Sequence, residues 1–400
     1  MINVVFVDDA HTFGGAQIAL RNVIVSLMLS GNYRITLFST RENISKVLVG
    51  DAAQKVNAFV IPSAKPLNIF SFFFGVLGVY RVLAPQLKDE SSVWVMNLSG
   101  IEFCLSSLFL LKLKGRKSIA WLHNSRTFTD LLPGLVGFRR MLNQVRDKVA
   151  DRFIFSKYQQ IIVPSESERS FLSCRVNRIQ NVCVVRNPIV SRVGLSDHHR
   201  MAEKCSIEPA GECGLRIYVV GRIEFSTKGQ DKCVSISHAL AARGVPAHFI
   251  FVGDGPDASA LSCDFEHVGL AKSLTITGWK EDPYDQITAD DIVLIASNFE
   301  SGSLVAAESM LRGLRIVSST LPVFKEILPG ACIVNSENAS DYAQRIISIR
   351  DTDLQLLRAM YQEMLNEFSP EAMEKKFSRV LGLQTGSLMK EASIECSSKQ

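Results

Sequence analysis

The sequence predicts two doubly wound α/β domains in tandem, and three observations lead there. Short β-branched runs alternate with helix-period segments along the whole chain. The alternation runs through the first half, stops at a polar stretch, and starts again. A length of 400 residues exceeds one ordinary core and suits two domains of about 150–200 residues each.

In the first half the strand candidates are NVVFV (3–7), YRITLFS (33–39), NAFVIP (57–62), SVWVMN (92–97), SIAWLH (118–123) and QIIVPS (160–165). Helix-period segments lie between them, for instance 16–30 and 101–114. Apolar runs this short, bounded by turns, suit strands buried on both faces of a parallel sheet. In the second half RIYVVGR (216–222), HFIFVGDG (248–255), SLTITGW (273–279), DIVLIAS (291–297), RIVSS (315–319) and ACIVN (331–335) read as strands. Helices are expected at 229–243, 303–313, 338–349, 353–368 and 370–383. The division that follows is a first domain over 1–190, a polar linker over 191–213 and a second domain over 214–368. A last helix over 369–386 and a polar tail over 387–400 complete it. Ligands of such sheets bind beyond the carboxyl ends of the strands, so two sheets facing one another would make a cleft.

Composition narrows the function classes. Hydrophobic residues make up 47% and charged residues 21%, an ordinary globular balance. The net charge of +4 is too small to predict a nucleic-acid partner, though it permits local basic patches. Nine cysteines, an odd number with no CxxC pair or Cys/His cluster, read as reduced and mostly buried thiols, with no metal site. MINVVFVDD enters a strand directly and lacks the pattern of a signal peptide, so a cytoplasmic chain is expected. The Phe-rich stretch 69–84 is shorter than the ~20 residues that span a bilayer and carries Arg81. It reads as a buried helix, with a helix lying on a membrane surface as the alternative.

The candidate chemistry lies at strand ends. NFES leaves the strand DIVLIAS, and SLVAAESMLRG is the helix that follows, with Gly313 as its stop. Glu300 therefore stands at the carboxyl end of the sheet and Glu308 early in the helix. A carboxylate near a helix start is ordinarily favoured by the macrodipole. Ala306, Ala307 and Met310 make this helix look buried, however, and a buried carboxylate needs a partner such as a sugar hydroxyl. Ser301, Gly302 and Ser303 leave the first N–H groups of the helix open to a phosphate. After the strand RIYVVG come Arg222 and Lys228, two cations suited to a diphosphate. FVGDGP reads as a tight turn that lets a helix pack. Gly14 and Gly15, between the first strand and first helix, permit close approach of a ligand to the backbone, but they do not make a dinucleotide fingerprint. In WLHNSR, His123 reads equally as a cleft residue or a strand cap.

Taken in order, these pieces resemble the retaining GT-B glycosyltransferases of family four, which use nucleotide-sugar donors and pair two Rossmann-like domains across a cleft. The resemblance runs through Gly14–Gly15, His123, VPSESERSFL (163–172), VVRNPI (184–189), GRI…KGQD, FVGDGP, ITGW and the E-x7-E element of Glu300 and Glu308. It implies roles. Arg222 and Lys228 would neutralise the donor diphosphate, Glu308 would hold the ribose hydroxyls and Glu300 would lie near the transferred sugar. Backbone N–H groups at Ser303 and Leu304 would cradle the phosphate, and the segment around Gly278 and Trp279 would border the base. The Gly14–Gly15 loop would close on donor or acceptor, and His123 would face the sugar. Charge on the leaving group would be met by these cations and the helix start, with no metal and no cofactor. The family's usual turn after the first glutamate is Glu-Gly-Phe-Gly, whereas this chain has Glu300-Ser301-Gly302-Ser303, so donor identity does not carry over.

The function expected is transfer of a sugar to a glycan or lipid-linked acceptor in cell-surface polysaccharide or glycolipid synthesis. Peripheral membrane contact is suggested by 69–84, LKLKGRK (111–117) and FRR (138–140). The alternative from another class is a nucleotide-sugar-binding partner without catalysis, prompted by the serines at 301 and 303. A sugar-nucleotide epimerase ranks last, for want of acid and base carboxylates at other strand ends.

Overall fold

A computed structural model describes residues 1–10, 13–61, 78–99, 105–124, 137–149, 155–175, 181–190 and 214–382. It divides into two compact units, Met1–Val190 with Glu367–Gln400, and Ser191–Asn366. The expected linker and tail lie outside the described residues, as does most of the Phe-rich stretch 69–84.

The first unit holds a seven-stranded parallel sheet. Its strands are β1 (Ile2–Asp8), β2 (Tyr33–Ser39), β3 (Asn57–Val60), β4 (Val93–Leu98), β5 (Ser118–Leu122), β6 (Gln160–Val163) and β7 (Val182–Val184), in the order β3-β2-β1-β4-β5-β6-β7. The order reverses between β1 and β4, which is the doubly wound pattern. The pleat sends alternate residues to opposite faces. Val5 and Val7 of β1 pack with Trp94, Met96 and Leu122 in one core. Val4 and Phe6 pack with Leu20, Ile24, Val95 and Trp121 in the other. Both faces are thus covered, which explains why the strands read as unbroken apolar runs.

The helix Pro370–Val380, last in the described chain, belongs to this first unit. It opens with Ser369, whose side chain accepts from the Ala372 N–H, followed by Pro370 at the first helical position. Met373 and Phe377 enter the second core beside Leu20, Val23 and Trp121. The hydroxyl of Tyr33 donates to Glu374 at 2.9 Å and bonds Ser378 Oγ at 2.7 Å.

The second unit holds a five-stranded parallel sheet of β8 (Leu215–Val220), β9 (Ala247–Val252), β10 (Leu274–Ile276), β11 (Ile292–Ile295) and β12 (Arg315–Ser318), in the order β10-β9-β8-β11-β12. At the amino end, Arg216 makes a forked pair with the buried Asp291 at 2.7 and 2.9 Å. The expected strand over 331–335 is not formed. Gly330–Cys332 make a 3-10 turn, and Ile333 makes a single parallel bridge to Ser318. Conversely β7 was not expected, because three residues of strand give no usable periodicity.

The cysteine expectation needs correcting in part. Cys233 and Cys332 are buried, but Cys174 and Cys263 are exposed; all are free thiols. Cys263 lies on the helix Ala258–His267, whose inward residues are Leu261 and Phe265. Cys183 is half-buried and also free, and the other four cysteines, Cys104, Cys205, Cys213 and Cys396, lie outside the described residues.

Phe377 has no exposed surface and tilts against Trp121, with ring centroids 5.7 Å apart. Phe377→Ala should cost about 3–5 kcal/mol, the usual range for a buried Phe. The urea transition followed by fluorescence of the buried Trp94 and Trp121 is the measurement; an unmoved midpoint would contradict the packing.

Candidate functional site

The site of the second unit is built from three loops at the carboxyl end of its sheet. β8 ends at Val220, and Gly221 and Arg222 leave it. The Arg222 loop is held by its neighbours. Gln230, almost fully buried, donates Nε2 to Arg222 O at 2.8 Å and accepts the Glu224 N–H at 3.2 Å. Ile223 N–H donates to Asp254 O, and Phe225 N–H to Asp257 Oδ2 at 2.7 Å. Gly255 makes this possible, since a Cβ there would stand 2.1 Å from Ile223 O. The Gly-Asp-Gly turn therefore admits the Arg222 loop, a reason beyond the helix packing expected of it. The Arg222 guanidinium itself is exposed and has no ion-pair or hydrogen-bond partner among the described residues.

Lys228 closes the short helix Phe225–Lys228, which Gly229 ends at φ 63°. A Cβ on Gly229 would meet Ala296 O at 2.3 Å, so only glycine lets the loop after β11 approach. That loop is then bonded down: the Asn298 and Phe299 N–H groups both donate to Thr227 O, at 2.9 and 3.0 Å. The result is an ion pair. Lys228 Nζ stands 2.6 Å from Glu300 Oε1, and Ser297 Oγ donates to the same oxygen at 3.1 Å. The Glu300 side chain keeps 11% of its surface and Lys228 30%.

Three residues on, Ser303 caps the helix Leu304–Leu311, its Oγ accepting from Ala306 N–H at 3.3 Å. The N–H groups of Ser303, Leu304 and Val305 donate to no acceptor among the described residues. Glu308 is half-buried and has a protein partner after all. The Tyr284 hydroxyl bonds Glu308 and lies 3.4 Å from Val305 O. Burial first, and then the Glu308 charge, hold that phenol well above its ordinary pKa. Arg312 stacks over the Tyr284 ring at 4.3 Å. Tyr284 was missed from sequence, where nothing sets it apart from other aromatics. Gly278 follows β10 at φ 73°, and Trp279 beyond it is 64% exposed. So the structure joins Lys228 to Glu300, sets Glu308 on Tyr284, and leaves Arg222 bonded to neither carboxylate.

In the first unit, His123 lies just past β5. Its N–H donates to Leu98 O at 2.9 Å, its Nε2 stands 2.7 Å from Asn97 Oδ1, and its ring stacks on Trp121. Gly14 caps the helix Gly15–Ser30, and its N–H donates to Gln17 Oε1 at 3.0 Å. A Cβ on Gly15 would meet nothing within 4 Å. Gln17 and Asn97 both turn to Asp8, a carboxylate with no exposure. Asp8 and Asn97 were not singled out from sequence. The signal available was a polar residue closing an apolar strand. Among the described residues no three His, Cys, Asp or Glu side chains gather as a metal would require.

Residues 214–351 match the family model of the glycosyl transferases group 1.

That span lies within the second unit and carries Arg222, Lys228, Glu300 and Glu308. The whole chain shares its fold with solved glycosyltransferases. The Anabaena protein HepE, in complex with UDP and glucose, superposes with TM-score 0.70 at 17% identity, over 96% of this chain and 100% of that one. Sucrose-phosphate synthase from Thermosynechococcus elongatus gives TM-score 0.69 at 14% identity, over 95% and 98%. The lipopolysaccharide outer core galactosyltransferase WaaB gives 0.63 at 16%, over 95% and 99%. No curated protein matches the chain by sequence. The fold is thus that of GT-B enzymes, and the span that carries the candidate site is the one that matches a glycosyltransferase family model.

Burial lowers the His123 pKa from the ordinary 6.5 to about 4. An unfolded chain would take up this proton as pH falls below 6.5, while the folded one would not until about 4. His123 therefore makes the fold less stable as pH falls through that window. His123→Gln should lack this slope, so its deficit against wild type should narrow between pH 6.5 and 4. Urea midpoints at stepped pH would test it; a constant gap would show that the imidazole charges freely.

Proposed function

We propose that the chain moves a sugar from a nucleotide-sugar donor to a glycan or lipid-linked acceptor, with retention of anomeric configuration and without a metal. The observation that carries the proposal is the Lys228–Glu300 pair set three residues before a helix start with unused N–H groups. An arriving diphosphate draws Lys228 away from Glu300, adds the unpaired Arg222, and takes the N–H groups of Ser303 and Leu304. Glu300 is then released toward the sugar hydroxyls. Glu308 keeps accepting capacity beyond its bond from Tyr284, because a carboxylate offers about four lone-pair positions, and it serves the ribose. Trp279 presents an exposed ring to the base. As the diphosphate leaves, its growing charge falls on Arg222, Lys228 and the helix start. In the first unit, His123 takes a sugar hydroxyl and the Gly14–Gly15 loop lies on the acceptor side.

The non-catalytic alternative rested on the serines of the turn. Ser303 turns its hydroxyl back to cap the helix and is 2% exposed, which weakens that motive. Thermal stability and slow nucleotide release, measured against a panel of nucleotide-sugars, are the test. One donor should stabilise the protein and be slowly hydrolysed. Glu308→Ala should weaken nucleotide binding about tenfold, the worth of one hydrogen bond to a charged group. Arg222→Ala or Lys228→Ala should lower turnover about 10²-fold. Unchanged kinetics in these variants would overturn the assignment.

A place in cell-surface polysaccharide or glycolipid synthesis is supported by the shared fold with WaaB, a lipopolysaccharide galactosyltransferase. No helix among the described residues is long and apolar enough to cross a membrane. Peripheral contact has a candidate in the helix Gly137–Val149, which exposes Met141, Leu142 and Val145 at 51%, 45% and 52%, with Arg140 and Lys148 also exposed. Such a face suits an anionic lipid surface. By contrast Arg116 of the basic stretch 111–117 is engaged by Leu87 O and Glu90. The protein should sediment with anionic vesicles and lose this in Met141→Glu/Val145→Glu. Absence of sedimentation in the wild type would remove membrane contact from the proposal.

A further inference from the structure

Two lysines follow the Arg222 loop, four residues apart, and they are engaged differently. Lys228 pairs with Glu300. Lys232 begins the helix Lys232–Ala241. Its N–H donates to Gly229 O at 3.2 Å, and its Nζ reaches Ala296 O at 3.0 Å and Glu337 Oε2 at 2.8 Å. Ala296 stands just past β11, four residues before Glu300, and is 1% exposed. A buried carbonyl needs a donor. Among the described residues no backbone N–H donates to Ala296 O, and Lys232 does. This is the same oxygen that a Cβ on Gly229 would strike. The crossing of the Lys228–Gly229 turn and the Glu300 loop is thus closed twice, by a missing Cβ and by an ammonium group.

A lysine needs a reason to stay at such a post. Its side chain has several free rotors, and a partly exposed ion pair alone holds it weakly. Here the carboxylate is itself fixed. Glu337 Oε1 accepts the Thr320 N–H at 2.7 Å and Thr320 Oγ1 at 2.8 Å, and its Oε2 accepts the Tyr342 hydroxyl at 2.8 Å. Thr320 lies two residues past β12, and Tyr342 lies on the helix Ala339–Asp351. The Tyr342 ring also stands 6.0 Å from Lys232 Nζ, within reach of a cation–π contact. Lys232 therefore meets a partner that three other bonds already hold, so pairing costs only its own freedom. Against the rise that burial causes, the bonds from Lys232, Thr320 and Tyr342 bring the Glu337 carboxyl down to about 2, so it stays charged at neutral and mildly acid pH.

We propose that Lys232 is a positioning residue: it clamps Ala296 O over the Lys228–Gly229 turn and so sets Glu300 against Lys228, while Glu337 holds Lys232 to that post. The proposal rests on the transfer reading for what Glu300 and Lys228 then do, but the clamp itself does not depend on it. The two lysines divide the work. The Lys228 pair opens for a diphosphate. Lys232 has its acceptors within the protein and keeps the loop in place while the other pair opens.

Lys232→Met in the full-length protein keeps most of the stem and removes the ammonium group. Turnover of the nucleotide-sugar that wild type consumes should fall about tenfold or more, as misplaced groups do. Affinity for UDP, GDP or ADP, whichever wild type binds, should stay within about threefold, because Arg222 and the Ser303 helix start are held by other bonds. Amide hydrogen exchange, read by mass spectrometry on the peptide over 296–303, should run about tenfold faster, the worth of one hydrogen bond to a charged group. Glu337→Gln sets an amide against Lys232 and Tyr342 and should move turnover and exchange the same way by less. It carries the test should Lys232→Met fail to fold. Unchanged exchange overturns the clamp, and faster exchange with unchanged turnover overturns the positioning role. Lost affinity with saturated turnover kept makes Lys232 a ligand of the donor and overturns the proposal too. Faster exchange in the variant, where wild type consumes no donor, upholds the clamp and removes the transfer reading instead.

Discussion

A parallel sheet buried on both faces leaves polar side chains few places to stand, and the carboxyl ends of its strands are the foremost. Along β1, Val4 to Val7 are fully packed, and after Asn3 at the amino end the next polar side chain is Asp8. β2 ends in Ser39, paired in register with Asp8, and Asn97 stands near the end of β4. The same limit governs the second unit: Arg216 and His248 stand at the amino ends of β8 and β9, and the chemistry of Arg222, the Gly-Asp-Gly turn and Glu300 comes only past the carboxyl ends of β8, β9 and β11. Chemistry is thus gathered at one edge of each sheet because burial excludes it from the interior.

The two edges solve their electrostatics in opposite ways. Asp8 is fully buried among four neutral donors and burial raises its pKa, so it ties a network together and is not exposed to a ligand. Lys228 and Glu300 hold each other, but the pair is partly exposed, and such pairs contribute about 1 kcal/mol or less. The loops that carry them are fixed by other means, namely the two bonds to Thr227 O and the Gly229 contact. The ion pair can therefore open for a stronger anion without loosening the site. Order comes from backbone and amide bonds, and exchangeable charge is laid over it.

What the sequence made legible follows from range. Apolar runs are local, so eleven of the twelve strands could be read from them; β7 was too short, and 331–335 had the composition of a strand but turned at Gly330. Glu300 and Lys228 were legible as strand-end residues. Their pairing was not, because it depends on Gly229 meeting Ala296 across two distant loops. Glu308 was expected to need a partner such as a sugar hydroxyl, and Tyr284 supplies one from a segment with no motif. The Asp8 network draws on β1, β2, β4 and two helices, and no spacing along the chain announces such a meeting.

The Glu300–Ser303 turn shows how a departure from a familiar pattern can be weighed physically. Glycine is required where the backbone is left-handed or where a Cβ would collide. Ser303 has φ −47°, which any residue adopts, so the absence of glycine there carries no backbone cost. Its hydroxyl moreover caps the helix, a contact that contributes about 1 kcal/mol and keeps the helix start, with its unused N–H groups, in place. Serine at 303 therefore leaves the first N–H groups of the helix as unused as a glycine would. The substitution that bears on a sugar is the one at 301, where a side chain replaces a hydrogen next to Glu300. At 303 the serine costs the backbone nothing and the helix start keeps its cap, whereas at 301 the added side chain occupies space beside Glu300.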